Sequence, residues 1–194
     1  MKVECLLENP QRDINKLGLE TLIANYSNYL ICNKFPPILV GKEDAISMIK
    51  YLKRKEHTEK EQVIGPWKNI TVFEAANRIA SDLVILNGIL QMFNEGKIKD
   101  DSLITIHLGT SHKKGEGDII INGEHGEAFN VAPSFFKVKL RNTIIKWQSE
   151  NSNSPKLTYI FVNSDVATDK DVDNLLKNKL IQLIKVKDWD KEIV

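Results

Sequence analysis

Two carboxylates stand where a hydrolytic site could be built. Asp118 opens a β-branched run, Asp118-Ile119-Ile120-Ile121-Asn122, and Glu127 opens a second, Glu127-Ala128-Phe129-Asn130-Val131-Ala132. Between them lies Asn122-Gly123, a strong hairpin signal. If the two runs pair through that turn, both acids come to the same end of a sheet. Two hard oxygen ligands together hold Mg²⁺ and leave positions for water and a phosphate. The metal would polarise phosphoryl oxygens and lower the pKa of its water, and a lysine nearby would stabilise developing negative charge. The plain alternative stays open for each residue: Asp118 as a solvated strand start after the Gly-rich loop, and Glu127 as a polar strand residue paired across the hairpin. Glu124 falls in the turn and is expected in solvent. Glu116, two residues before Asp118, could share a metal.

The remaining chemical signals are weaker. His107 reads as a sheet histidine, while His112 and His125 lie in loops, where His125 could approach the acids. No H-E-x-x-H, no C-x-x-C and no G-x-S-x-G is present, so zinc and α/β-hydrolase serine chemistry lack support. The loop from Gly109 to Gly117 lacks the Gly-Lys-Ser/Thr ending of a phosphate-binding loop and precedes a strand, which excludes that nucleotide-binding reading. Its Lys113-Lys114 pair could instead touch a nucleic-acid backbone.

The elements that must carry these residues follow from periodicity. Residues from about 11 to 60 read as helical, with Leu17, Leu19, Leu22, Ile23, Tyr26 and Leu30 at helical spacing, a break at Pro36-Pro37, and Ala45, Ile46, Met48, Ile49 and Leu52 resuming it. Thr71-Val72-Phe73-Glu74 matches a capping box, Thr71 as N-cap and Glu74 reaching back to it. Ala75, Ala76, Ile79, Leu83, Val84, Leu86 and Leu90 give the helix that follows a broad apolar face, and Gly96 suits its end. Leu103–Leu108 is a predicted strand before the hairpin. Pro133-Ser134 opens a helix with Phe136, Leu140, Ile144 and Trp147 on one face. Leu157–Val162 is a strand, and a last helix covers roughly 169 to 184. The order from residue 71 is helix, three strands, helix, strand, helix. That predicts an α/β fold with a mixed central sheet flanked by helices.

At 194 residues the chain supports one sizeable core, so a single domain is expected over 1–194, with a mainly helical N-terminal elaboration over 1–66 and the α/β core over 71–194. Apolar residues make up 42% and charged residues 27%, an ordinary globular composition. No apolar run reaches the ~20 residues that span a bilayer. The N-terminus has no long apolar segment before a cleavage site, and Cys5 and Cys32 make no disulfide framework; a cytoplasmic location is the expectation. The net charge of +1 neither demands nor excludes a polyanion. The stretch Lys50–His57 is a local basic candidate, and also reads as a solvated helix end.

The element order, with an acid on one strand and an acid on the next, resembles the PD-(D/E)xK nuclease superfamily, which includes many type II restriction endonucleases. The likeness covers about residues 71 to 165. Gly117-Asp118-Ile119-Ile120 matches the first half-motif, and Glu127-Ala128-Phe129 stands where Glu-x-Lys is found. Phe129 replaces the motif lysine, and a phenyl ring donates nothing to water or phosphate. The resemblance implies a restriction-endonuclease-like core and a Mg²⁺-dependent endonuclease acting on double-stranded DNA. A homodimer would then match a palindromic site. It further implies Asp118 and Glu127 as metal ligands and a relocated lysine from the following helix, Lys137 first and Lys139 in reserve. Glu74 would complete or orient the metal shell, against its capping role. Phe129 also supports a different class, a nucleic-acid- or protein-binding module that keeps the fold without catalysis.

Overall fold

Helix starts along the chain are written by short polar side chains. Asn15, Asp44, Thr71 and Asp169 each sit in extended backbone and accept from an amide one turn on, as N-caps do. A computed structural model describes residues 2–37, 44–53, 62–109, 116–150 and 156–187. In chain order these form β1 (Glu4–Cys5), β2 (Gln11–Ile14), α1 (Lys16–Cys32), α2 (Ala45–Leu52), β3 (Val63–Ile64), β4 (Trp67–Lys68) and α3 (Val72–Asn94). There follow β5 (Ile104–Ile106), β6 (Ile119–Ile121), β7 (Glu124–Phe129), α4 (Pro133–Glu150), β8 (Leu157–Asn163), α5 (Lys170–Asn178) and β9 (Gln182–Val186). The chain is an α/β protein with a mixed sheet flanked by helices, as the periodicity predicts.

The main sheet has six strands in the order β2-β5-β6-β7-β8-β9. The pairs from β2 to β7 are antiparallel, and β7, β8 and β9 run parallel, with α4 and α5 as the crossovers. β1, β4 and β3 make a separate small sheet. Alternation along β8 sorts the core into two layers. Tyr159 and Phe161 face the cluster built with α1 and α3, whereas Ile160 and Val162 face the one built with α4 and α5. Gly88 lets α3 press onto the sheet, because a Cβ there would lie 2.5 Å from Cδ1 of Phe161.

Three expectations are corrected. The stretch from 11 to 60 is not uniformly helical: Gln11–Ile14 is an edge strand whose register on β5 is broken near Asp13 at φ 51°. A four-residue polar segment carries no alternation to announce it, and its partner strand lies 90 residues on. The third strand starts at Glu124 rather than Glu127, since Asn122 and Gly123, at φ 50° and 85°, make a two-residue turn with both centres in positive φ. The last helix stops at Asn178, and Gln182–Val186 is β9 on the open side of β8. Arg54, Lys55 and His57 of the basic stretch lie outside the described residues, as do His112, Lys113 and Lys114.

Leu180 ends α5 in left-handed backbone, φ 56°, with 76% of its surface exposed. That conformation costs an L-residue roughly 1–2 kcal/mol, and glycine adopts it freely while gaining entropy in the unfolded chain. Leu180→Gly is therefore expected to stabilise the protein by about 0.5–1 kcal/mol, a rise of about 2–3 °C in thermal unfolding. A lower midpoint would mean that the exposed leucine packs in a way its surface does not suggest.

Candidate active site

The hairpin of β6 and β7 closes its ladder at Ile119↔Gly126, and Asp118 and Glu127 are the next residues beyond that pair on either strand. The Asp118 amide donates to the Gly126 carbonyl at 3.0 Å, and its own carbonyl takes the His107 amide at 2.9 Å. Those bonds continue the hairpin past its last ladder pair, and both acids lie at the end away from the turn. Both line a cleft of about 970 Å³. Asp118 is buried, and its Oδ2 accepts from the Ala128 amide at 2.9 Å. Glu127 is half-buried.

One wall of the cleft is α3, through Asn77, Arg78 and Ser81; the other is α4, through Lys139, Asn142, Thr143 and Lys146. The stripe Phe136, Leu140, Ile144 and Trp147 buries against the sheet, as its spacing predicts. Helical geometry then puts Lys139, Asn142, Thr143 and Lys146 on one flank of that stripe and Lys137 on the other. The start of α4 is pinned by Asn163 at the end of β8. Its amide donates to the Val131 carbonyl at 3.0 Å, and its Oδ1 takes the Val131 amide at 2.9 Å.

The lysine expectation changes accordingly. Lys137 bonds Asp169 at 3.0 Å and Asp171 at 2.9 Å near the start of α5, and those carboxylates raise its pKa. Residues two apart on a helix point about 200° apart, so Lys137 and Lys139 cannot serve the same side. Lys139 lines the cleft, its Nζ 5.6 Å from the centroid of the Phe129 ring. Phe129 is itself buried, with its ring 6.3 Å from that of Phe136. The position expected to carry the motif lysine is thus a core residue with an ammonium from α4 above its face.

Glu74 performs half of the capping box. Its amide donates to Thr71 Oγ1 at 3.2 Å, while its carboxylate takes Nη2 and Nε of Arg78 at 3.0 and 3.3 Å. Of the two, Arg78 lines the cleft. Ala76, expected on the buried face of α3, is exposed. His107 is buried with Nε2 3.3 Å from a carboxylate oxygen of Glu116. His125 Nδ1 lies 2.5 Å from the Glu116 carbonyl and its ring packs 5.8 Å from Trp147. Glu124 is exposed, as expected, and its carboxylate accepts from the Tyr159 hydroxyl at 2.5 Å.

Sequence reading missed Asp82. It falls in the buried stripe Ala75, Ile79, Asp82, Leu86, Ile89 and Phe93 of α3 and has no solvent exposure. A lone acid at that spacing, within Ile79-Ala80-Ser81-Asp82-Leu83-Val84, was the available signal. Its carboxylate accepts from Tyr26 Oη at 2.8 Å, Trp67 Nε1 at 3.1 Å and the Gly109 amide at 2.7 Å. Burial, the largest influence, pushes its pKa up to about 7, and the three hydrogen bonds pull it back.

Among the described residues, no three His, Cys, Asp or Glu side chains form a ready-made metal cage. The pair Asp118 and Glu127 fits a different demand. Mg²⁺ commonly takes one or two carboxylates and fills its shell with water and substrate phosphate. No helix among the described residues is long and apolar enough to cross a membrane. Fold and site together define an α/β protein with a cleft lined by Asp118 and Glu127 at a hairpin end, by Arg78 of α3 and by Lys139 and Lys146 of α4. No family model, curated protein or solved structure matches the chain.

Proposed function

We propose that the protein is a metal-dependent endonuclease that hydrolyses DNA phosphodiester bonds, of the type II restriction class, acting as a homodimer on double-stranded DNA. The observation that carries this reading is that Asp118 and Glu127, at the end of one hairpin, line the same cleft as Lys139 of α4. Asp118 and Glu127 would hold Mg²⁺, which when bound supplies Lewis acidity and an acidified water. The chain's own residues do the rest. The Ala128 amide orients the Asp118 carboxylate. Lys139 and Lys146 offer positive charge where the phosphodiester gains negative charge. Asn142 and Thr143 add neutral hydrogen-bonding groups between them. The element order α3, β5-β6-β7, α4, β8 supports a restriction-endonuclease-like core, and the free cysteines Cys5 and Cys32 support a cytoplasmic location.

One observation favours a second reading. Phe129 is a packed core residue, which suits a module that keeps the fold and binds nucleic acid or protein without cutting. Incubating purified protein with plasmid DNA and Mg²⁺ or Mn²⁺, against EDTA, separates the two. Metal-dependent fragments that vanish in Asp118→Ala and Glu127→Ala are the expected result. Intact DNA across sequence-diverse substrates would rule out the endonuclease and leave the binding module.

A further inference from the structure

Asp82 has no part in the hydrolysis just described, yet its surroundings lead to the cleft. Three donors from three stretches of chain meet its carboxylate: Tyr26 and Trp67 at Oδ2, Gly109 at Oδ1. A carboxylate accepts all three at once. An amide or an apolar side chain would leave at least one buried donor unsatisfied. Two of the three connect onward. Gly109 lines the cleft in left-handed backbone, φ 64°, and a Cβ there would lie 2.7 Å from both Arg78 Nη1 and the Trp67 ring, so all three groups are packed together. The Trp67 ring carries the Arg78 guanidinium 4.9 Å from its centroid, and Glu74 holds that guanidinium through Nε and Nη2. The Arg78 side chain keeps only 19% of its surface, on the cleft wall opposite Lys139 and Lys146. A planar fork fixed by a ring, a carboxylate and a backbone is preorganised for a phosphate oxygen.

We propose that Arg78 is an anion-binding residue of this cleft, contacting a backbone phosphate of the nucleic acid, and that Asp82 is the positioning residue that sets it through Trp67 and Gly109. The identity of the anion rests on the nuclease reading; the positioning network does not.

The test is binding of a fluorescently labelled DNA duplex to the full chain, with Ca²⁺ in place of Mg²⁺, over a series of salt concentrations. Arg78→Ala is expected to weaken binding and to reduce the slope of log affinity against log salt by about one, the mark of one lost phosphate contact. Asp82→Asn, with Arg78 intact, is expected to reproduce both changes, and the double variant to be no worse than either single one. Tyr26→Phe, which removes a donor that does not lead to the cleft, is expected to keep the wild-type slope. In parallel, the Trp67 indole N–H and Gly109 amide resonances should move in Asp82→Asn, with Gly109 exchange faster by about tenfold for the lost hydrogen bond. If Asp82→Asn does not fold, Trp67→Phe takes its place in the binding series. Wild-type affinity and slope in the folded Asp82→Asn protein, or in Arg78→Ala, overturn the proposal. A wild-type protein that ignores duplex DNA sinks the nuclease reading and Arg78's anion with it. The two resonances still judge the network, and positions unchanged in Asp82→Asn overturn that part.

Discussion

Lys139→Ala is expected to lower metal-dependent DNA cleavage by about 10²–10³-fold, the usual cost of removing one preorganised group that meets developing negative charge. Lys137→Ala is expected to leave cleavage unchanged. The contrast follows from helix phase. Lys139 lies on the flank of α4 that lines the cleft, while Lys137 is held by Asp169 and Asp171 on the other. Lys139→Arg keeps the charge and is expected to restore part of the activity, whereas Lys139→Met keeps the stem over Phe129 without the charge and should not. Single-turnover rates at saturating metal separate this loss from weaker DNA binding. Equal losses in the two alanine variants would show that charge near α4, rather than a placed ammonium, is what matters.

Asp82 provides the second large effect, and it is one of stability. Its carboxyl rises from an ordinary 3.8 to about 7 in the folded protein, chiefly through burial, with the charge of Asp118 adding a smaller push upward. The folded protein therefore holds this proton more tightly than the unfolded chain does. Stability from this linkage is fully present below about pH 4 and is lost as the pH rises through about 7. The amount is on the order of a few kcal/mol, at about 1.4 kcal/mol per pH unit of displacement. Wild-type protein minus Asp82→Asn, compared by denaturant unfolding in EDTA from pH 4 to 8, should fall across that window. Tyr26, whose pKa burial raises well above 10, and Cys5, pushed up to about 11, stay neutral throughout it. EDTA keeps a bound cation at Asp118 from distorting the comparison. A flat or rising difference would show that the three donors hold Asp82 ionised at all these pH values.

The two expectations share an origin in α3 and α4, the helices that wall the cleft. Each presents a buried stripe to the sheet, and each carries its polar cleft residues on a flank of that stripe. Asp82 and the α4 lysines differ in what they do there. Asp82 binds backbone and ring from inside the core, and Lys139 and Lys146 line the cleft.

What the sequence alone determined was local. Thr71 marks the start of α3 because a hydroxyl one turn before an amide caps it whatever surrounds the helix. Asn122-Gly123 marks the hairpin because few residue pairs take positive φ twice, and that turn alone brings Asp118 and Glu127 to one end of a sheet. The helix, three strands, helix and strand after residue 71 were legible from period. Only tertiary structure decided the rest. β2 and β9 exist because β5 and β8 offer them open edges, and no pattern within four or five residues reveals such a partner, far along the chain for β2 and beyond α5 for β9. Periodicity identified the buried stripe of α4, yet Lys137 and Lys139 both stood as candidates for the same role. Which flank borders the cleft depended on how the helix lies across the sheet. Asp82 sat in plain view in the α3 stripe, but its donors come from α1, β4 and the residue opening the loop after β5. A hydrogen-bonded buried acid is made by long-range convergence, which exists only in the folded chain.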